Sequence, residues 1–225
     1  MGERVKLSAS DGHELEAYAA RPDGEPIAGL VVVQEIFGVN AHIRSVSDGY
    51  AKDGFLAVAP ALFDRYERGV ELGYDGEDMQ KAMGISQKLR TDIDAAVRDI
   101  GAAIDFARGQ TGKKCGVIGY CLGGTLAWLS ATRLKADAAV GYYGGLIAMF
   151  AAEQPQAPVM LHFGKQDQHI PKEEVDTVAA AHPEVEIYWY DAGHGFNCGA
   201  RSSYDAISAK LARERSLEFL KKNLA

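Results

Sequence analysis

The reading starts from Cys115-Gly-Val-Ile-Gly-Tyr-Cys-Leu-Gly-Gly-Thr125. A short apolar run, Val117 and Ile118, stops at Gly119. Cys121 then stands between Gly119 and Gly123, and an apolar segment of helical character, Thr125–Ser130, follows. This is the Gly-x-nucleophile-x-Gly pattern of a strand–turn–helix elbow, with cysteine where serine is commoner. A turn that lifts one side chain off a strand end strains the backbone at its centre and leaves no room for Cβ atoms two residues away. It also sets the sulfur at a helix N-terminus, where the peptide dipoles and free N–H groups favour thiolate. A glycine-rich strand–helix turn around an ordinary buried cysteine accounts for the same residues, so the rest of the chain has to decide.

The 225 residues read as one domain, 1–225, long enough for a large core. With 24 basic against 31 acidic residues, the net charge of −7 argues against nucleic acid and anionic membrane as partners. No apolar run reaches the roughly 20 residues of a spanning helix, and the N-terminus lacks the apolar core of a signal peptide. Three cysteines without a Cys-x-x-Cys pair make neither a disulfide framework nor a zinc site, so a reducing cytoplasm is expected. No cofactor or metal is expected, and a monomer or small homo-oligomer is.

Around the elbow the chain alternates strand and helix. Glu3–Ser8 and His13–Ala20 flank Asp11-Gly12 as a hairpin. Leu30–Gln34 is a continuous apolar strand, of the kind buried on both faces, and ends at Glu35-Ile36-Phe37-Gly38-Val39-Asn40. Ile43–Asp53 is an amphipathic helix closed by Gly54, and Phe55–Ala59 a strand halted by Pro60. Ala61–Asp78 is a long polar and aromatic loop of the kind that covers sites. Helices follow at Glu77–Leu89 and Thr91–Arg108, then the elbow strand Lys114–Ile118. Beyond the elbow come strands Ala138–Tyr142, Pro158–Phe163 and Glu184–Tyr190, with helices Lys172–Ala181 and Tyr204–Leu224. Six strands alternating with helices after a hairpin predict a mostly parallel α/β sheet covered on both faces, with ligands at the carboxyl ends of its strands.

Three chemistry-bearing residues fall at those ends: Cys121, then Asp167 in the turn Gly164-Lys165-Gln166-Asp167, then His194 in the loop Asp191–Phe196. Nucleophile, acid, base is the chain order of an α/β-hydrolase triad. A thiol, mostly protonated at neutral pH, needs a base, and the base needs a carboxylate to fix its tautomer and stabilise the imidazolium. Oxyanion donors are expected from the backbone N–H groups of Leu122 and Ile36. His13, His42, His162, His169 and His182 show no metal-ligand spacing and read as structural or exposed. Cys115 reads as structural, and Cys198 as packing or as a redox partner of Cys121. Tyr142 and Tyr143 end the strand next to the elbow strand and are candidate walls of the pocket, with aromatic core packing the alternative, and Phe37 and Tyr143 are candidate substrate contacts.

Gln34–Asn40, Gly119–Gly124, Ala139–Gly144, Gly164–Asp167 and Ala192–Phe196 together resemble the dienelactone hydrolase (carboxymethylenebutenolidase) family. The resemblance implies a three-layer, eight-stranded α/β-hydrolase fold without a separate cap domain and a Cys121-His194-Asp167 triad. It further implies that Glu35 interacts with the thiol and helps switch it to thiolate when substrate binds. Well-known members hold the lactone's carboxylate with two arginines, one of them four residues past the catalytic histidine. Here that position is Cys198, and the near match for the other is Lys81, with Arg65 and Arg68 nearby and Arg201 a potential substitute. The expected function is hydrolysis of small lactones or enol esters through a thioester. The alternatives are a carboxylesterase or thioesterase acting on another acyl group, and a non-catalytic redox- or ligand-sensing protein using Cys121 and Cys198.

Overall fold

The computed structural model describes residues 2–225. It contains strands β1 (Glu3–Ser8), β2 (Glu14–Ala20), β3 (Ala28–Val33), β4 (Phe55–Pro60), β5 (Cys115–Tyr120), β6 (Ala139–Tyr142), β7 (Val159–Gly164) and β8 (Glu186–Tyr190). The helices are α1 (Ala41–Lys52), α2 (Gly76–Thr91), α3 (Ile93–Thr111), α4 (Leu122–Arg133), α5 (Lys172–Ala181) and α6 (Ala206–Leu224). All eight strands form one sheet in the order β1-β2-β4-β3-β5-β6-β7-β8. The first hairpin joins antiparallel to β4, and every pairing from β4 through β3 to β8 is parallel. Among the described residues, no helix is long and apolar enough to cross a membrane.

The central strands are buried along their whole length because helices cover both faces. Alternation assigns each residue to a layer. Gly29 of β3 faces α3, where an added Cβ would lie 2.9 Å from that of Ala107. Gly116 of β5 faces α6, where it would lie 2.8 Å from Leu224. Helix α1 shares the α6 side: Arg213 of α6 pairs with Asp53 and stacks over the Tyr50 ring. Local signals set the helix ends. Asn40 and Asp205 accept from the Ile43 and Ser208 amides at the starts of α1 and α6. Glycines with positive φ, Gly54 and Gly112, follow the ends of α1 and α3.

The departures from the expected boundaries have simple causes. Strand β5 runs on to Tyr120 because Gly119 and Tyr120 still pair with Gly141 and Tyr142. Helix α4 begins at Leu122, earlier than apolar periodicity places it, since Gly123 and Gly124 are helical positions with no space for side chains. A short 3-10 turn, Leu62–Arg65, interrupts the long loop after β4, and Gly76 already opens α2.

The order reversal falls at β3. The chain leaves β3 to build β4 on one side and later returns to lay β5 on the other. The carboxyl ends of β3 and β5 therefore flank the crevice where such sheets bind ligands.

A buried polar network underlies the next strands. His162 of β7 bonds through Nδ1 to Tyr190 Oη (2.8 Å) and through Nε2 to Ser216 Oγ (2.9 Å), and Ser216 also meets Tyr142 Oη (2.7 Å). Burial, with the Arg215 charge acting in the same sense, pulls His162 down from 6.5 to about 3. The unfolded chain then takes up a proton that the folded chain refuses. Stability is expected to fall as pH drops below 6.5 toward 3, by about 1.4 kcal/mol per pH unit. Urea unfolding between about pH 7 and 5 checks this, because carboxylates stay ionised over most of that window. His162→Gln is expected to flatten the slope, and an unchanged slope would assign the acid sensitivity to other groups.

Candidate active site

At the end of β5 the backbone turns so sharply that Cys121 adopts φ 54° and ψ −118°, in the left-handed half of conformational space. Two glycines make the turn possible. A Cβ on Gly119 would lie 1.8 Å from the Gly123 carbonyl oxygen, and one on Gly123 would lie 2.5 Å from the carbonyl oxygens of both Val33 and Gln34. The elbow is thus in backbone contact with the end of β3. The Cys121 amide donates to the Tyr142 carbonyl (3.0 Å), tying the turn to β6.

Cys121 Sγ lies 3.2 Å from His194 Nε2, and His194 Nδ1 lies 2.8 Å from Asp167 Oδ2. Asp167 follows β7, and its other oxygen accepts the His169 amide at 2.8 Å. The His169 ring packs edge-on against His194 at 5.2 Å between centroids. Burial opposes charging of the His194 ring. The hydrogen bonds to Asp167 and Cys121 and the negative charges of both partners outweigh it and raise His194 to about 10. The chain is therefore set up to hold a proton on the imidazole beside a nucleophilic sulfur.

The loop after β3 closes the other side. Among the described residues, neither the Ile36 nor the Leu122 amide has an acceptor in the chain. Leu122 directly follows the nucleophile, and Ile36 follows the residues that Gly123 touches. Glu35 is 1% exposed, and neither of its oxygens makes a hydrogen bond. Burial raises its pKa, against the opposing charges of Arg201 and His194. The contact with the thiol implied by the family resemblance is not formed: Cys121 is engaged by His194, and the charge nearest Glu35 is the Arg201 guanidinium, 3.6 Å from Oε1. That separation makes an ion pair rather than a hydrogen bond.

Arg201 is the cation at the site. It folds back across Gly195, where an added Cβ would lie 2.7 Å from Nη1, and stacks over Phe37 (5.8 Å) and Tyr74 (5.9 Å). Phe37 and Tyr74 meet edge to face at 4.5 Å. Asn40 Nδ2 bonds to the Leu72 carbonyl and the Tyr74 hydroxyl, so the long loop after β4 does reach over the site. Tyr143 is wholly buried at φ 40°, 5.1 Å from the His194 ring and 5.4 Å from Phe196. Burial, with the neighbouring charge of Glu35 acting in the same sense, pushes its phenol well up, and its ring packs as a core aromatic beside His194.

Three expected substrate contacts are placed elsewhere. Arg65 makes a bidentate pair with the fully buried Asp99 (2.7 Å twice) and a further pair with Asp11. Arg68 donates to the Glu14 carbonyl, and Lys81 pairs with Glu67 at 2.5 Å. The loop after β4 turns Arg65 toward Asp11 and toward Asp99 of α3 and Arg68 toward the N-terminal hairpin, while Lys81, on α2, reaches back to Glu67 of the same loop. Sequence reasoning missed His42. On the first turn of α1, its half-buried ring has an Nε2 without a hydrogen-bond partner, near Glu35 and Cys198. Its position just after the Asn40 cap, at the end of the β3 loop, was the available signal.

A parallel sheet with a nucleophile elbow after β5, an acid after β7 and a histidine after β8 defines an α/β-hydrolase with a cysteine at the elbow. The chain belongs to the dienelactone hydrolase family, whose model matches residues 15–224. It is 37% identical to a carboxymethylenebutenolidase of Pseudomonas putida, over 97% of this chain and 95% of that one. It is 30% identical to a carboxymethylenebutenolidase of Pseudomonas sp. strain P51, over 98% and 95%. A solved structure from Klebsiella pneumoniae, assigned as a dienelactone hydrolase, superposes with a TM-score of 0.82 at 29% identity, over 97% and 98% of the two chains.

The reassignment of Arg65 can be measured. Arg65→Ala strands the Asp99 carboxylate in the core, so a stability loss of about 3–5 kcal/mol is expected by urea unfolding. KM for an anionic lactone should stay within about twofold, since no substrate contact is lost.

Proposed function

We propose that the chain, working as one domain, hydrolyses small anionic lactones of the enol-ester type through a thioester on Cys121. The observation that carries this reading is the unbroken hydrogen-bonded series from Cys121 Sγ through His194 to Asp167. The family and the carboxymethylenebutenolidases it resembles support the substrate class. The three cysteines are all free, which fits a reducing cytoplasm.

In this reading Cys121 Sγ attacks the lactone carbonyl, and the Leu122 and Ile36 amides receive the developing oxyanion. Collapse of the tetrahedral intermediate breaks the ring C–O bond and expels an enolate, which takes up the proton that His194 drew from the thiol, leaving the acyl group on sulfur and the imidazole neutral. The enolate is a stable leaving group, so a thiol serves without strong acid assistance. His194, oriented by Asp167, next takes a proton from water. The hydroxide adds to the thioester, the carbonyl re-forms, and the carboxylate leaves as the proton returns to the sulfur.

Arg201 gives the site its preference. The position four past His194 is Cys198, but the chain supplies a guanidinium three residues later. It lies over two aromatic rings and at ion-pair rather than hydrogen-bond distance from Glu35. Its N–H fork is left to meet a substrate carboxylate. A neutral-ester esterase has no use for that cation, which favours the anionic lactone over the other acyl substrates.

Cys121→Ala and His194→Ala are each expected to abolish turnover of an enol-lactone bearing a carboxylate. His194→Ala, mixed with an activated aryl ester, should also accumulate a thioester adduct on Cys121 by intact mass. Turnover persisting in Cys121→Ala would refute the assignment. Separately, Arg201→Gln should raise KM for the anionic lactone about tenfold or more, by loss of a charged hydrogen bond. The variant should leave neutral aryl-ester hydrolysis within about twofold. Equal losses on both substrates would show that Arg201 supports the fold rather than the carboxylate.

A further inference from the structure

Cys198 has surroundings that a redox or packing role does not explain. Its Sγ, a carboxylate oxygen of Glu35 and a ring nitrogen of His42 all lie within 4.8 Å of one another. The three side chains come from the β3 loop, the first turn of α1 and the loop after β8, so nothing in sequence spacing joins them. Glu35 is 1% exposed, and Cys198 is fully buried. Neither Glu35 oxygen has a hydrogen-bond partner, and the buried His42 Nε2 also lacks one. Buried polar atoms are almost always satisfied, and lone pairs converging without a donor are what a cation's coordination shell uses.

We propose that Glu35, His42 and Cys198 form a binding site for one borderline-soft divalent cation, zinc being the best match. The donor set selects the ion. Calcium and magnesium take oxygen shells, whereas sulfur, imidazole nitrogen and one carboxylate suit zinc. With bonds of about 2.0–2.3 Å, ligands around tetrahedral zinc sit roughly 3.3–3.8 Å apart, so the cluster has to close by at most about 1.5 Å. Three protein ligands leave a fourth position open.

Charge and protons balance. The Cys198 S–H proton passes to solvent as the sulfur–zinc bond forms, while carboxylate and neutral imidazole bind through lone pairs. Thiolate and carboxylate together match the two positive charges of the ion. Arg201 is the opposing charge, 3.6 Å from Glu35 Oε1. Zinc takes its place at the carboxylate, and the guanidinium keeps its stack on Phe37 and Tyr74. Cys121 and His194 are not among the three donors, and their atoms already engage each other.

The full chain, stripped with a chelator and kept reduced, is titrated with zinc sulfate by calorimetry and with cobalt(II) by absorption. One ion per chain, a cobalt–thiolate charge-transfer band and a rise in Tm with zinc are expected. Cys198→Ser and His42→Gln should each weaken zinc binding by more than the roughly tenfold that loss of an outer-shell partner costs. Cys198→Ser should also remove the band, and Cys121→Ser should keep both. Circular dichroism confirms folding, and either ligand variant alone suffices if the other does not fold. Absence of stoichiometric binding overturns the proposal. So does binding that survives in the ligand variants and disappears in Cys121→Ser, which would put the ion on the catalytic pair.

Discussion

The site depends on one close approach between two pieces of backbone. Gly123, in the first turn of α4, lies so near the ends of Val33 and Gln34 that a single added carbon would collide with both carbonyl oxygens. The contact joins the elbow after β5 to the loop after β3, the two strands between which the sheet order reverses. Because it is made by backbone, it fixes the Leu122 and Ile36 amides relative to Cys121 without relying on rotamers. Its cost is the strained φ of Cys121, held by hydrogen bonds to Tyr142 and within α4.

Around that contact the electrostatics divide into two parts. On the β7–β8 side, Asp167 and the sulfur favour the imidazolium over the burial penalty. On the β3 side, Glu35 is a carboxylate in a dry place, with a cation nearby and no hydrogen bond. In the proposed reaction the first part serves bond-breaking. The second is where the proposed anionic substrate, or in its place the proposed metal ion, would find charge to exchange. Tyr143 is buried against the His194 and Phe196 rings.

Much of the fold was legible because the strands announce themselves. Runs such as Leu30–Val33 and Phe55–Ala59 are apolar throughout, as burial on both faces requires, and glycine or proline ends them. The glycine-rich start of α4 was not legible, because Gly123 and Gly124 read as loop until the neighbours that exclude a side chain are known. Charged residues of the long loop misled for a related reason. Arg65 and Arg68, with Lys81 of α2 beyond them, have the chemistry of carboxylate binders, and only the packing of the loop shows that Asp99 holds Arg65, the Glu14 carbonyl holds Arg68 and Glu67 holds Lys81.

The sequence by itself determined the class of sheet and pointed to the proposed nucleophile and the two residues proposed to serve it. Each carries a short-range signature: glycines two to either side of Cys121, a turn around Asp167, and a glycine-flanked His194 after the last strand. The tertiary structure decided everything that requires distant segments to meet. It turned Arg201 back over Phe37 and Tyr74, directed Cys121 toward His194 rather than Glu35, and gathered Glu35, His42 and Cys198 from three loops. The reason is geometric: strand periodicity carries each loop to the same edge of the sheet, but which side chains touch there depends on packing across 160 residues of intervening chain, roughly the span from Glu35 to Cys198.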